Sequence, residues 1–212
     1  MRTVHLTCFD AFGALRENPT RALVAALPET PGWRTIRTVL PTSYARVGAG
    51  VDGLFGQRPD ALLMFGYTSQ TDRLRLEHLA RNRDGSRRPD NDGRLGRPVI
   101  LAGAAPAYPS TVDLAPVLLA LCARKAPFTY STDAGGYVCN HSYFLALDRA
   151  RSASPAVPCL FVHIPLPRSS SGWREISRAA GTVLACILRA AGPHTRVVGR
   201  LGRNPAGEQP LS

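Results

Sequence analysis

The sequence predicts a single-domain, three-layer α/β/α fold, in which a twisted, mainly parallel but mixed sheet lies between two layers of helices. The first observation behind this prediction is the alternation of short apolar runs of strand length with longer segments of helical character. The second is size and composition: the chain has 212 residues, of which 44% are hydrophobic and 19% are charged. These values are typical of a globular protein with one sizeable core rather than of a disordered chain.

The N-terminal part of the chain is predicted to fold as strand, helix, strand, helix and strand. Asn18 is a suitable N-cap for the first helix, and Pro19 takes the first helical position, where a missing N–H is tolerated. Glycines lower the helix propensity of the second helix, and Pro59 comes directly before the third strand. The predicted elements are a strand at 3–9, a helix at 18–27, a strand at 34–40, a helix at 44–57 and a strand at 60–67.

The C-terminal part is predicted to contain three more helices and two more strands after a long irregular region. Residues 68–108 are rich in arginine, aspartate, glycine and proline. This region is too long for an ordinary connection, which indicates that it covers a site. We expect a catalytic domain at 1–192 and a flexible polar tail at 193–212. The predicted elements are a helix at 114–125, a strand at 128–132, a helix at 137–150, a strand at 158–165 and a helix at 173–192.

The net charge of +11 comes almost wholly from arginine, since Lys125 is the only lysine. A charge of this size often indicates a protein that binds nucleic acid. The arginines are dispersed, however, and the denser stretch between Arg73 and Arg97 also contains acidic side chains. We therefore interpret the charge as surface charge and expect no nucleic-acid partner.

The use of cysteine indicates a reducing compartment, and the hydropathy of the sequence argues against a membrane span. The chain has five cysteines, which are widely scattered and form no CxxC pair; this argues against a disulfide framework and against a zinc ribbon. No apolar run approaches the ~20 residues of a membrane span. The N-terminus enters a strand-like pattern without the features of a signal peptide. We therefore expect a cytoplasmic protein with no membrane partner.

One of these thiols stands in a context that suggests catalysis. Cys139, in the stretch YSTDAGGYVCNHSYF, follows a Gly-Gly turn and lies in the first turn of a predicted helix. The N-terminus of a helix is the positive end of its dipole, which favours a thiolate. His163 is near the end of the predicted strand at 158–165, and parallel sheets place functional groups at the carboxyl ends of their strands.

A cysteine nucleophile requires a base, and the base requires an acceptor that orients its ring. His163 lies in an apolar run, so its ring requires a partner, although a structural role is the alternative for a lone strand histidine. His141 is two residues after the cysteine and faces elsewhere on a helix. His194 lies in the tail, His5 is expected to be a hydrogen-bonded strand residue, and His78 stays a candidate. The acid could be any of fifteen carboxylates, and spacing alone does not choose among them.

Four motifs in order carry a family resemblance: TCFDAFGALRENPT, RLRLEHLARN, STDAGGYVCN and FVHIP. Together they resemble the pyroglutamyl peptidases, or pyrrolidone-carboxylate peptidases, a family of cysteine peptidases. The resemblance runs from Thr7 to about Pro167 with near-family spacing. The family has a Glu-Cys-His triad, and by motif Cys139 matches the nucleophile, His163 the base and Glu77 the acid. The resemblance implies no metal and no cofactor.

The resemblance also implies a substrate-binding set around the pyrrolidone ring and the scissile carbonyl. Phe9, Phe12 and Tyr137 match aromatic residues of the family's pocket, and Arg87 matches an arginine near the scissile carbonyl. Ordinary core packing is the alternative for the two phenylalanines. The complete set is Phe9, Phe12, Thr42, Tyr67, Arg87, Arg88, Tyr137 and Val138.

The first motif departs from the usual family pattern GFxPFGG. Cys8 replaces the first glycine, Ala11 replaces the proline and Ala14 replaces the last glycine. We expect the loss of two glycines to restrict a turn that requires positive φ or close backbone approach.

Arg88 is a second departure, because many members carry an aliphatic wall residue there; Tyr67 likewise stands where many bacterial members carry glutamine. An arginine stays charged in any protein environment, so it must face water or find an anion. Two arrangements follow: Arg88 points outward or pairs with a loop carboxylate such as Asp84 or Asp90, which the neighbouring aspartates favour, or it lines the pocket without a partner.

The predicted function is removal of an N-terminal pyroglutamyl residue from small peptides with a blocked N-terminus, through an acyl-enzyme. One alternative is a divergent member that hydrolyses a different small N-acyl amide, with an acidic group that Arg88 binds. Another is a non-catalytic binding protein, against which the complete triad argues. Family members often self-assemble, so a homo-oligomer stays open, although no pattern in this sequence requires one.

Overall fold

The computed structural model of the protein describes residues 1–166 and 169–192; the predicted tail at 193–212, with His194, lies outside them. The described residues form a six-stranded sheet, a small two-stranded sheet and five helices. The strands are β1 (Arg2–Phe9), β2 (Trp33–Leu40), β3 (Ala61–Tyr67), β4 (Leu74–Glu77), β5 (Leu79–Arg81), β6 (Ala107–Pro109), β7 (Phe128–Ser131) and β8 (Cys159–Ile164). The helices are α1 (Pro19–Ala26), α2 (Val47–Gly56), α3 (Ala115–Ala123), α4 (Val138–Ser152) and α5 (Ser170–Ala190).

The large sheet has the strand order β2-β1-β3-β8-β4-β7. The first four strands in this order are parallel to one another. β4 runs antiparallel to β8, and β7 is parallel to β4. The sheet is therefore mainly parallel but mixed, as the sequence predicted.

Different helices cover the two faces of the sheet. One core contains Leu23, Val117 and Val183, from α1, α3 and α5, and the other contains Val51 and Phe144, from α2 and α4. The central strands β3 and β8 are buried on both faces, which explains why their sequences are continuous apolar runs without alternation. The helices and the sheet thus form the three predicted layers.

All five predicted helices and all five predicted strands are present, with ends that differ by a few residues. Asn18 caps α1 as predicted, since its side chain accepts a hydrogen bond from the Thr20 N–H at 3.1 Å. α5 begins earlier than predicted because the Ser169 hydroxyl caps it, accepting from the Gly172 N–H at 3.1 Å. No described helix is both long and apolar enough to cross a membrane.

The prediction that residues 68–108 are irregular is wrong in part, because β4, β5 and the start of β6 lie in this region. β4 has only four residues, and its side chains alternate between apolar Leu74 and Leu76 and charged Arg75 and Glu77. Charged residues on a strand normally indicate a solvent-facing side. Here Glu77 is fully buried, so the alternation is consistent with a strand but indicates the wrong surroundings for its charged face.

The expectation that His5 is a hydrogen-bonded strand residue is wrong. His5 is fully buried in β1, between Ile36 of β2 and Leu62 of β3 in the strand register. Neither ring nitrogen has a hydrogen-bond partner among the described residues. Burial, with a smaller contribution from the charge of Arg34, lowers the pKa of His5. The site therefore favours the neutral ring.

This environment predicts a pH-dependent effect of His5→Leu on stability. Because the folded-state pKa of His5 is lowered, its contribution to stability is present above the unfolded value of ~6.5 and is lost as the pH falls below it. The variant lacks this loss, so its free energy of unfolding should rise relative to wild type by up to ~1.4 kcal/mol per pH unit below that point. Urea unfolding between pH 5 and pH 8 measures the difference. A difference that does not change with pH would contradict the prediction.

Candidate active site

A cavity of about 720 Å³ opens where β1, β3 and β8 end. Its volume lies within the range of small-molecule sites. All the predicted site residues line it except two: Glu77 lies behind His163, and Arg87 is exposed and outside the lining. The predicted residues in the lining are Phe9, Phe12, Thr42, Tyr67, Arg88, Tyr137, Val138, Cys139 and His163.

Cys139 lies in the first turn of α4, as predicted, and is half-buried at the cavity. The N-cap residue Tyr137 has an extended backbone, with φ −107° and ψ −172°, and no side chain caps the helix. The positive end of the helix is therefore left to the cavity. Gly66 gives the sulfur its space, because a Cβ there would lie 3.0 Å from the Cys139 Sγ and 2.7 Å from the ring of Phe161.

His163 connects the thiol with a buried carboxylate. Its Nδ1 lies 2.7 Å from Oε1 of Glu77, and its ring packs on Phe161 with the ring centroids 4.9 Å apart. Burial acts to lower the pKa of His163, but the hydrogen bonds and charges of Cys139 and Glu77 outweigh it and raise the pKa to about 9. Since Glu77 occupies Nδ1, the other ring nitrogen is left for the sulfur.

Glu77 has a second partner that the sequence did not predict. Arg75 Nε lies 3.0 Å from the same Oε1 that binds His163. Residues two apart on a strand share a face, so this contact follows directly once β4 is known to be a strand. Because residues 68–108 were interpreted as irregular, the contact between Arg75 and Glu77 was not predicted. Arg81, Arg83 and Asp133 also line the cavity without having been predicted.

Asn140 and His141, the two residues after Cys139, bind the covering segment, which comprises residues 81–97 and supplies part of the cavity lining. The Asn140 side chain accepts from the Arg81 N–H at 2.9 Å and donates to the carbonyl of Arg83 at 2.9 Å. His141 faces away from the thiol, as predicted, and its Nδ1 lies 2.9 Å from Oδ2 of Asp84. The first turn of α4 therefore binds the covering segment directly.

Aromatic rings form the wall of the cavity. The Phe12 ring lies 6.3 Å from Tyr67 and 6.0 Å from Tyr137, centroid to centroid. The Tyr137 hydroxyl donates to the carbonyl of Pro89 at 3.0 Å, which fixes its ring against the covering segment. Phe9 belongs to the core and also reaches the cavity, so the two interpretations of this residue hold together.

Arg88 is exposed to water and also lines the cavity; the expectation that it pairs with Asp84 or Asp90 is wrong. Both aspartates accept hydrogen bonds from backbone N–H groups, and Asp84 also binds a histidine. The Arg88 guanidinium lies instead 5.0 Å from the centroid of the Phe12 ring, a cation–π contact. Gly13, with φ +60°, permits this position, because a Cβ there would overlap the guanidinium. Within the described part of the chain, no carboxylate lies within salt-bridge distance of Arg88.

The substituted glycines of the first motif do not strain the turn. In this stretch positive φ occurs only at Gly13, which is retained. Cys8 lies in β1, where its Sγ is buried and 3.7 Å from the carbonyl oxygen of Thr38. The expectation that Cys8 and Ala14 restrict the turn is therefore wrong as far as positive φ is concerned, since neither residue has a left-handed backbone; a restriction of close backbone approach stays a prediction.

Comparison with known proteins gives consistent relatives. The chain matches the family model described as pyroglutamyl peptidase over residues 2–186. It is 34% identical over 173 residues to the pyrrolidone-carboxylate peptidase of Chromobacterium violaceum, with 78% of each chain covered. The pyrrolidone carboxyl peptidase structure from Fervidobacterium islandicum matches with a TM-score of 0.81 at 27% identity, covering 89% of this chain and 99% of that one. The Thermus thermophilus structure matches with a TM-score of 0.78 at 30% identity, covering 86% and 99%. These similarities confirm the predicted fold and the resemblance.

The surroundings of the thiols predict the order in which iodoacetamide labels them. Near neutral pH we expect Cys139 to be labelled first, because it reaches the cavity beside His163. Burial raises the pKa of Cys8 to about 11 and also raises that of Cys159, so both should react slowly. Cys122 is exposed and is the competitor. Peptide mapping over time gives the order, and His163→Ala is the control that should remove the advantage. Labelling of Cys122 with an inert Cys139 would contradict the prediction.

Proposed function

The chain belongs to the pyroglutamyl peptidase family, and on this premise we propose that it is a cysteine peptidase that removes an N-terminal pyroglutamyl residue from small peptides. The observation that carries the proposal is the arrangement of Cys139 at the mouth of a cavity, with His163 beside it and Glu77 behind His163. A thiol, an imidazole and an orienting carboxylate in this order are the parts of a nucleophilic triad. The cytoplasmic location and any self-assembly stay predictions of the sequence.

The resting site is proposed to hold its proton on His163. The hydrogen bonds and charges of Cys139 and Glu77 raise the pKa of this histidine to about 9, which favours the protonated ring at neutral pH. A protonated ring beside Cys139 stabilises the thiolate, and the thiolate is the nucleophilic form of cysteine. Glu77 supports the positive ring at Nδ1 and takes part in no bond making.

Acylation then proceeds in two steps, which are attack by the thiolate and departure of the amine. The Cys139 thiolate attacks the acyl carbon of the pyroglutamyl residue, and negative charge develops on the carbonyl oxygen. The proposal assigns the stabilisation of that oxygen to the N–H groups of Val138 and Cys139, because the start of α4 has no side-chain cap; one such donor is worth ~3–4 kcal/mol. The proposal gives Arg87 no step, because this side chain lies outside the cavity lining. The ring of His163 donates its proton to the leaving amine as the C–N bond breaks.

Deacylation returns the site to its first state. The neutral ring of His163 accepts a proton from water, and the resulting hydroxide attacks the thioester of Cys139. The thioester C–S bond breaks, pyroglutamate leaves, and the thiolate and the protonated ring are restored. The aromatic wall of Phe9, Phe12 and Tyr137 supplies an apolar surface for the flat lactam ring.

A fluorogenic pyroglutamyl amide, compared with proline, alanine and glutamate analogues, tests the proposed function. We expect turnover of the pyroglutamyl amide and its loss in Cys139→Ala and in His163→Ala. The double variant should cost hardly more than either single one, because the two groups act as a unit. Glu77→Gln should retain more activity than either.

The pH profile is part of the same test. The activity of wild type should fall as the pH rises through about 9, where His163 loses its proton. Hydrolysis that survives in Cys139→Ala, or an absence of pyroglutamyl turnover in wild type, would contradict the proposal.

Arg88 favours a second candidate function, hydrolysis of an amide whose acyl group carries a carboxylate. The guanidinium lines the cavity on Phe12 without a carboxylate partner in the described part of the chain, and a neutral lactam does not neutralise it. Water reaches the exposed Arg88, and an acidic acyl group would replace this water with an anion.

The substitution Arg88→Ile separates the two candidates. We expect kcat/KM for the pyroglutamyl amide to rise about tenfold, equivalent to ~1.4 kcal/mol, and kcat/KM for an acid-bearing acyl amide to fall. Arg94→Ile, which removes the same charge from an exposed position of the same segment, is the matched control and should change neither value. A variant at Arg88 that loses pyroglutamyl activity would show that the arginine serves the lactam instead.

A further inference from the structure

Arg75 makes three contacts that connect separate parts of the candidate active site. Its Nε lies 3.0 Å from Oε1 of Glu77. One terminal nitrogen donates to the hydroxyl of Ser131 at 2.9 Å and to the carbonyl of Asp133 at 2.6 Å. The Arg75 side chain is 23% exposed and the Glu77 side chain is fully buried, so most of this ion pair is removed from water.

The ion pair and the His163 contact converge on a single oxygen atom. Oε1 of Glu77 binds both Arg75 and His163, whereas Oε2 is buried without a hydrogen-bond partner among the described residues. Because only one oxygen of Glu77 is hydrogen-bonded, the carboxylate could rotate if either of its two partners, Arg75 or His163, were removed. Arg75 therefore fixes the direction in which Glu77 presents its charge to the imidazole, and it neutralises part of that charge.

The remaining contacts of Arg75 reach the segment that leads to the nucleophile. Ser131 ends β7, and Asp133 lies in the loop between β7 and α4, which begins one residue before Cys139. The Ser131 hydroxyl also accepts from the Asp133 N–H at 3.2 Å, so this loop start is a compact hydrogen-bonded unit. One guanidinium thus connects the strand that carries the acid with the loop that leads to the thiol.

The charged and titratable groups near His163 come from several elements. β4 contributes Glu77 and Arg75, and α4 contributes Cys139. The α4 residue Tyr143 donates to the backbone carbonyl of Glu77 at 2.9 Å and leaves the carboxylate free.

Beyond this group, the carboxylate of Asp133 lies 3.7 Å from Nε of Arg81. Asp133 and Arg81 thus pair with each other, and Arg75 is the arginine that contacts the carboxylate of Glu77.

We propose that Arg75 is a positioning residue of the active site, which orients Glu77 and limits how strongly Glu77 holds the proton of His163. This inference rests on the proposed function only where activity is measured. Its physical content is that removing the cation leaves the full charge of Glu77 to act on the imidazole. The ring should then keep its proton to higher pH, and the less strictly oriented ring should transfer it less efficiently.

The test compares Arg75→Met, which removes the charge and keeps an unbranched side chain, with Arg75→Lys, which keeps the charge. For Arg75→Met we expect the alkaline limb of the kcat profile to move up by about one pH unit. We also expect kcat to fall at least about tenfold, with a smaller change in KM. Arg75→Lys should keep the limb near that of wild type and recover part of kcat, because an ammonium group cannot make all three contacts. The matched control is Arg73→Met, which removes an exposed arginine two residues away and should shift nothing.

A measurement without substrate separates this inference from the proposed function. In a Cys139→Ala background, NMR titration of the His163 ring should give a higher midpoint with Arg75→Met than with Arg75 intact. If wild type does not cleave pyroglutamyl amides, the proposed function fails and this titration still decides the role of Arg75. If Arg75→Met does not fold, the comparison is made with Arg75→Lys and Arg75→Gln. The inference would be overturned if the folded variants left both the midpoint of the His163 titration and the alkaline limb of the kcat profile unchanged. Equal losses of kcat in the lysine variant and the uncharged variants would also overturn it.

Discussion

The antiparallel pairing of β4 with β8 is the constraint on which the candidate active site depends. In this register Arg75 lies opposite His163 and Glu77 lies opposite Phe161. His163 is near the end of β8, so the opposite direction of β4 carries Glu77 away from the cavity and into the sheet. The acid therefore approaches the imidazole from the buried side, and the outer side of the ring is left to Cys139. A parallel β4 would carry successive residues of the two strands toward the same edge of the sheet.

The sequence predicted the elements whose patterns follow from burial, and it failed where charged residues turn inward. The apolar runs of β3 and β8 and the cap at Asn18 were readily recognised, because each has a local cause. β4 was missed because it has only four residues, although its apolar and charged residues alternate as in a strand; that alternation would also have placed Glu77 on the solvent side, whereas Glu77 is buried. Tertiary contacts decided this strand, and no local rule describes them. Such departures from local rules are expected at functional sites.

The position of Arg88 was missed for a related reason. Its neighbours Asp84 and Asp90 looked like partners in the sequence, but backbone N–H groups and His141 already occupy their carboxylates. Proximity along the chain shows which pairs are available and not which pairs form. The triad itself was assigned by family resemblance, since spacing could not select Glu77 from the other carboxylates. The three proposed members nevertheless come together from β4, α4 and β8, with Cys139 and His163 in the cavity lining and Glu77 behind His163.

The contact between Arg88 and Gly13 limits the evolutionary routes by which this cavity can diverge. Any side chain at position 13 would have to accept a left-handed backbone and would also displace the guanidinium. Loss of the arginine relieves only the second of these restrictions. Substitution at position 88 leaves the turn unchanged, whereas a side chain at position 13 would move the flexible guanidinium aside and would also strain the left-handed backbone. The backbone at position 13, rather than the arginine that packs on it, is therefore the stricter restriction on change in this wall of the cavity.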